Sequence, residues 1–215
     1  MMAFPDVIPL FPLPNVVLFP HMPLPLHVFE PRYRAMVRAA ARGARLIGMA
    51  LLRGEWQREY LGSPAIFAVG TVGEMVHLEE LPDGRYNIVL RGLREYVVRR
   101  ELADAGTPYR QAVVVPHEVE RGPVDAAVRA AIVRLVGRYI ERRGGTAERA
   151  LFAPGIEDEV FVNFFAQHLD LEPLEKQALL EAPSLGERAA RLRDVLEFAL
   201  EGLRVTACGS PHRTH

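Results

Sequence analysis

Of 26 basic residues only Lys176 is a lysine, and it follows Glu175, so the chain contains no Gly-Lys pair. A phosphate-cradling P-loop needs a lysine directly after its last glycine to reach the β and γ phosphates. Nucleotide hydrolysis of that type is therefore excluded. A Ser–Lys dyad would have to pair Lys176 with Ser63, Ser184 or Ser210. Ser184 is better suited to capping a helix, and Lys176 is expected on the exposed side of a short one, so neither makes a convincing nucleophile or base. Seven histidines (His21, His27, His77, His117, His168, His212 and His215) form no His-x-His or His-Glu-x-x-His spacing. Zinc needs three or four convergent ligands, so no metal site and no cofactor is expected. Cys208 has no second cysteine and no evident base, which makes it a bystander thiol.

Binding chemistry is better represented. From Pro31 to Gly54 there are six arginines (Arg32, Arg34, Arg38, Arg42, Arg45 and Arg53) and no acid. That stretch reads first as a solvated helix face and second as a surface for an acidic partner. Sequence-specific nucleic-acid readout is disfavoured, because interleaved aromatics and further basic clusters are lacking. Phe161, Phe164 and Phe165 make an unusually aromatic helix face, suited to core packing or to a partly open apolar groove.

The elements that must position these residues change character near residue 120. Before it, short apolar runs rich in β-branched residues are separated by Pro and Gly, and Pro82-Asp83-Gly84 joins two of them as a hairpin. One helix is expected at about 31–42. Pro31 suits its first position, Tyr33, Met36, Val37 and Ala40 share a face, and Gly43 follows its end. After residue 120 the apolar period becomes 3.6, and the stripes of successive helices need one another as cover. The expected organisation is a β-rich unit over 1–120, a helical unit over 121–205 and a frayed tail over 206–215. Twenty-six basic against 27 acidic residues leave a net charge of −1, so no global pull toward nucleic acid or anionic membrane follows. No basic n-region precedes Arg32, and seven prolines between Pro5 and Pro25 interrupt the apolar start. A signal peptide or membrane span is thus not expected, and the cytoplasm is the default.

A specific resemblance rests on the run Ile8-Pro9-Leu10-Phe11-Pro12-Leu13-Pro14-Asn15-Val16-Val17-Leu18-Phe19-Pro20 and on Leu24-Pro25-Leu26-His27-Val28-Phe29-Glu30-Pro31-Arg32-Tyr33. Gly92-Leu93-Arg94-Glu95-Tyr96, Tyr109-x-x-Ala112 and Glu172–Glu181 extend it over nearly the whole chain. The sequence resembles the N-terminal domain of Lon proteases, above all stand-alone bacterial proteins carrying only that domain. The resemblance implies an α+β fold, a PUA-like β pseudo-barrel packed on a C-terminal α-helical bundle. It implies a non-enzymatic module that binds protein or peptide, an adaptor or holdase, with RNA or nucleotide binding as the alternative because PUA-like barrels also serve that role. The partner would be unfolded or apolar-rich polypeptide. Tyr33, Met36, Phe161, Phe164 and Phe165 are the expected contacts, with Arg32 and Arg94 from the matching segments. Glu30-Pro31-Arg32-Tyr33 is expected to be mainly structural, and the chain to be a monomer or weak dimer. The purified chain should release no phosphate from ATP and cleave no unfolded casein above buffer controls; turnover rising in proportion to its concentration would contradict this.

Overall fold

The fold was obtained as a computed structural model, which describes residues 4–59, 62–103, 105–144 and 155–208. It is an α+β structure with two compact units, Met1–Glu118 with Asn163–Glu181, and Val119–Val162 with Ala182–His215. The first boundary falls close to the expected change at residue 120. The end of the third helix and all of the fourth fall in the β-rich unit.

In the first unit six strands form one sheet: β1 (Val7–Leu13), β2 (Pro23–Val28), β3 (Leu46–Leu51), β4 (Val69–Glu80), β5 (Tyr86–Glu101) and β6 (Gln111–Pro116). The order is β2-β5-β4-β3-β1-β6, and β5 also pairs with β6. That extra pairing closes β5, β4, β3, β1 and β6 into a barrel, which removes their free edges. The pairing of β1 with β3 is parallel; the others are antiparallel. Strand β5 can serve three neighbours because it is 16 residues long, its first half against β2 and its second against β6.

Strand β2 remains at an edge. The Gly92 N–H donates to the Met22 carbonyl, and the two-residue antiparallel alternation then turns the backbone of Leu24 and Leu26 toward β5. Pro23 and Pro25 face the open edge, where they offer no N–H to an incoming strand.

Helix α1 (Pro31–Arg42) occupies the expected residues. Glu30 precedes it in extended geometry, Pro31 opens it, and Tyr33, Met36, Val37 and Ala40 are buried. The expected hairpin also forms: Gly84 takes φ +77° and its N–H donates to the Leu81 carbonyl at 2.8 Å.

Helices α3 (Asp158–His168) and α4 (Pro173–Leu180) show why residues 163–181 join this unit. Asn163 Nδ2 donates to the Pro20 carbonyl at 3.2 Å. Gln167 Oε1 accepts from the Phe19 N–H at 3.0 Å while its Nε2 donates to the Pro23 carbonyl at 2.8 Å. Gln177 Nε2 donates to the Val69 carbonyl at 3.0 Å. Side-chain amides of α3 thus satisfy backbone groups of the proline-rich segment entering β2, and Gln177 of α4 does the same at the start of β4.

In the second unit α2 (Ala126–Arg142) and α5 (Leu185–Cys208) bury Ile132, Leu135, Val136 and Tyr139 from one helix and Ala189, Leu192, Leu196 and Leu200 from the other. Asp125 caps α2 through the N–H groups of Ala127 and Val128, and Ser184 accepts from the Glu187 N–H at 3.1 Å. Asp158, at the start of α3, accepts from Arg129 at 2.6 Å and from the Val124 N–H at 2.8 Å. Helix α5 covers the first three positions of the expected tail; residues 209–215, with Ser210, His212 and His215, lie outside the described residues.

Tyr96 occupies the barrel interior. It is fully buried, and its hydroxyl donates to the Met49 carbonyl at 2.9 Å. Burial pushes this phenol far above its ordinary value, and the charge of Glu101 adds to the effect. Two glycines make room for the ring. A Cβ on Gly70 would sit on the Met49 carbonyl and 2.5 Å from the Tyr96 oxygen, and one on Gly48 would lie 3.1 Å from it. Gly70→Ala should therefore destabilise the chain by about 2–3 kcal/mol, read by urea denaturation; an unchanged midpoint would refute this packing. The raised phenol carries a sign as well. Below about pH 10 the ring is neutral in both folded and unfolded chains, and above it only the unfolded phenol ionises. Stability should then fall by up to about 1.4 kcal/mol per pH unit, an increment that Tyr96→Phe removes.

Candidate functional site

Helix α1 forms one wall of a groove in the first unit. Its first turn, through Arg32 and Tyr33, lines a cavity of about 720 Å³ whose other wall is the β5–β6 loop, including Leu102, Pro108, Tyr109 and Arg110. Its last turn, through Ala39 and Ala40, lines a second cavity of about 230 Å³ together with Val7, Pro9 and again Tyr109. Tyr109 stands between the two cavities. Arg32 and Ala40 are eight helical positions apart, a rise of about 12 Å. An extended chain covers that distance in about four residues.

The loop wall is tied at its base. Arg110 donates through Nε and Nη2 to the two carboxylate oxygens of Glu101 at 2.7 and 2.6 Å, and through Nη1 to the Pro64 carbonyl at 2.9 Å. Thr107 Oγ1 donates to the Tyr109 carbonyl at 2.8 Å and accepts from Gln111 Nε2 at 3.1 Å. On the helix side, Arg32 Nε meets Glu30 at 3.0 Å and the guanidinium lies 4.6 Å from the Tyr33 ring centre. Both arginines of the cavity are thus neutralised by carboxylates of the chain itself. That leaves little net charge to draw a phosphate, so the nucleic-acid alternative gains no support here.

The seven expected contact residues do not form one site. Arg32 and Tyr33 reach the larger cavity, although Tyr33 is only 4% exposed and packs on Phe11 with ring centres 4.4 Å apart. Met36, Phe161 and Phe165 are core side chains, and Arg129 lies 3.9 Å over the Phe161 ring. A buried side chain offers a ligand no area to desolvate, so these three contribute no contact surface here. Phe164 is half-buried, edge-on to Phe165 and stacked on His168 at 4.4 Å. Arg94 pairs with Glu118 at 3.2 Å, away from the groove-lining residues. Sequence reasoning assigned no role to Tyr109, Leu102 or Pro108, although Tyr109 lies in one of the matching segments.

No nucleophile–base pair converges on the groove, and no cluster of three metal-ligating side chains occurs among the described residues. Lys176 is half-buried rather than exposed, and its ammonium donates to the Gln167 carbonyl at 2.7 Å. Burial lowers its pKa while Asp170 opposes the shift. No described helix is long and apolar enough to cross a membrane.

The family described as the ATP-dependent protease La (LON) substrate-binding domain matches residues 7–197. Among curated proteins, Lon protease 2 of Syntrophobacter fumaroxidans is 33% identical over 84% of this chain and 23% of its own length. Lon protease of Escherichia coli K12 is 27% identical over 92% of this chain and 25% of its own. The chain thus spans about a quarter of the relatives it matches. The N-terminal domain of a Mycobacterium avium complex Lon protease superposes with a TM-score of 0.66 at 16% identity, covering 89% of this chain and 98% of that one. The Lon N-terminal domain protein from Xanthomonas campestris gives 0.62 at 23% identity, covering 86% and 96%.

Arg110→Lys keeps the charge but loses the planar two-point pair with Glu101. It should cost about 1 kcal/mol and speed amide hydrogen exchange in residues 105–109, measured by mass spectrometry. Unchanged exchange there would show that the ion pair does not fix the loop.

Proposed function

The chain belongs to the LON substrate-binding domain family, and from that premise we propose that it recognises polypeptide segments in the groove beside α1, acting as an adaptor or holdase rather than as an enzyme. The observation that carries this reading is that Tyr109 lines both cavities beside α1, which together mix apolar walls with hydrogen-bonding groups. Such a lining suits a chain whose side chains vary, because desolvated apolar area supplies affinity and a few polar groups fix direction.

Recognition by strand addition fits less well. The exposed edge of β2 carries Pro23 and Pro25, and the barrel strands have no free edge of their own. The chemistry of the groove also agrees with a non-catalytic role. In the larger cavity Arg32 and Arg110 are paired with carboxylates, and the family match covers the substrate-binding domain of Lon proteases.

Fluorescence anisotropy of a labelled, unfolded, apolar-rich peptide tests the reading, with a folded protein as competitor. The peptide should bind with little dependence on salt, and the folded protein should not displace it. Tyr109→Ala should weaken binding about tenfold, equivalent to ~1.4 kcal/mol. Leu102→Ser should act in the same direction should Tyr109→Ala prove poorly folded. Phe198→Ser, at a side chain 73% exposed on α5, should leave affinity unchanged. Equal affinity for folded and unfolded proteins, or groove variants that bind normally, would overturn it.

A further inference from the structure

The outer ridge of α1 shows a second feature, distinct from the groove. The helix carries Arg32, Arg34, Arg38 and Arg42 and no acid. Arg32 is engaged by Glu30. Arg34, Arg38 and Arg42 have no carboxylate within salt-bridge distance among the described residues, and the Arg34 Nε is buried without a hydrogen-bond partner. The three recur at every fourth residue, so they form one row about 12 Å long on the side opposite the buried Met36 and Tyr33. Like charges at that spacing repel, and each pair costs the isolated helix a few tenths of a kcal/mol. Arg85, Arg91, Arg110, Arg121 and Arg129 have carboxylate partners. Arg99, Arg100, Arg134 and Arg138, like the row on α1, have none among the described residues; α1 differs in setting three such arginines in one row on a helix that carries no acid.

We propose that this ridge docks an acidic segment of a polypeptide partner, whose carboxylates pair with Arg34, Arg38 and Arg42. Guanidinium groups bind carboxylates through two parallel hydrogen bonds, so three of them in a row favour a short run of Asp and Glu. The length of the row matches about three or four residues of extended chain. A nucleic-acid strand fits less well. Among the described residues of the ridge no aromatic face is offered for base stacking, the contact a single strand would need beyond charge.

The test is a titration of a labelled ten-residue peptide of alternating Glu and Ser against the full chain, with a Gln-for-Glu peptide as control. The acidic peptide should bind, weaken steeply as salt rises, and lose at least tenfold affinity in the double variant Arg38→Glu/Arg42→Glu. Both side chains are exposed, so the variant should melt normally. Arg134→Glu/Arg138→Glu, the same charge change at exposed positions of α2, should shift affinity less than twofold. No binding of the acidic peptide, equal losses in the two double variants, or tighter binding of a single-stranded RNA of equal charge would overturn the proposal. The groove reading stands or falls separately, because Tyr109→Ala should leave the acidic peptide bound.

Discussion

The barrel depends on how Tyr96 is accommodated. A phenol ring at the closure point of a five-stranded barrel fills volume that aliphatic side chains would otherwise supply, but it needs a polar partner and space beside two strands. The Met49 carbonyl supplies the partner; Gly48 and Gly70 supply the space. Tyr96 is also where β5 pairs with both β4 and β6, opposite Gly70 on one side and Pro116 on the other. Closure, register and interior packing are therefore set at one residue. The β5–β6 connection that forms a wall of the groove begins five residues further along the same strand.

A second constraint comes from proline. Residues 14–22 run between β1 and β2 outside the strands, and their backbone groups still have to be satisfied. Thr71 donates to the Leu18 carbonyl at 2.5 Å, and Asn163 and Gln167 serve Phe19, Pro20 and Pro23. Gly92 lets this segment lie against β5, since a Cβ there would collide with the Phe19 carbonyl. Hydrogen bonds made by Asn163 and Gln167 thus join elements more than 140 residues apart in sequence and tie α3 to this segment, while Gln177 ties α4 to β4 at the Val69 carbonyl.

This explains which parts of the fold were legible in the sequence. Helix α1 was legible to its ends, because Pro31, a four-residue apolar stripe and Gly43 are all local signals. The Pro82-Asp83-Gly84 turn was legible for the same reason. The partition of the helices was not. Asn163, Gln167 and Gln177 look like ordinary polar positions on amphipathic helices, and only the fold shows that the first two answer a distant proline segment and the third the start of β4. The site was less legible still. Helical periodicity marks Tyr33, Met36, Phe161 and Phe165 as a coherent apolar set, and periodicity is a signal for burial; it cannot also identify a surface. The residues that do line the groove, Leu102, Pro108 and Tyr109, sit in an irregular loop where no period exists to be read.

The central claim is that polypeptide lies in the groove between α1 and the β5–β6 loop. Its most direct test places a photo-crosslinking residue in the middle of an unfolded, apolar-rich peptide, irradiates it with the chain and maps the adducts by mass spectrometry. The account predicts adducts concentrated on Leu102, Pro108, Tyr109 and the first turn of α1. Adducts concentrated instead around Leu174 or Phe198, the two most exposed large apolar side chains among the described residues, would contradict it.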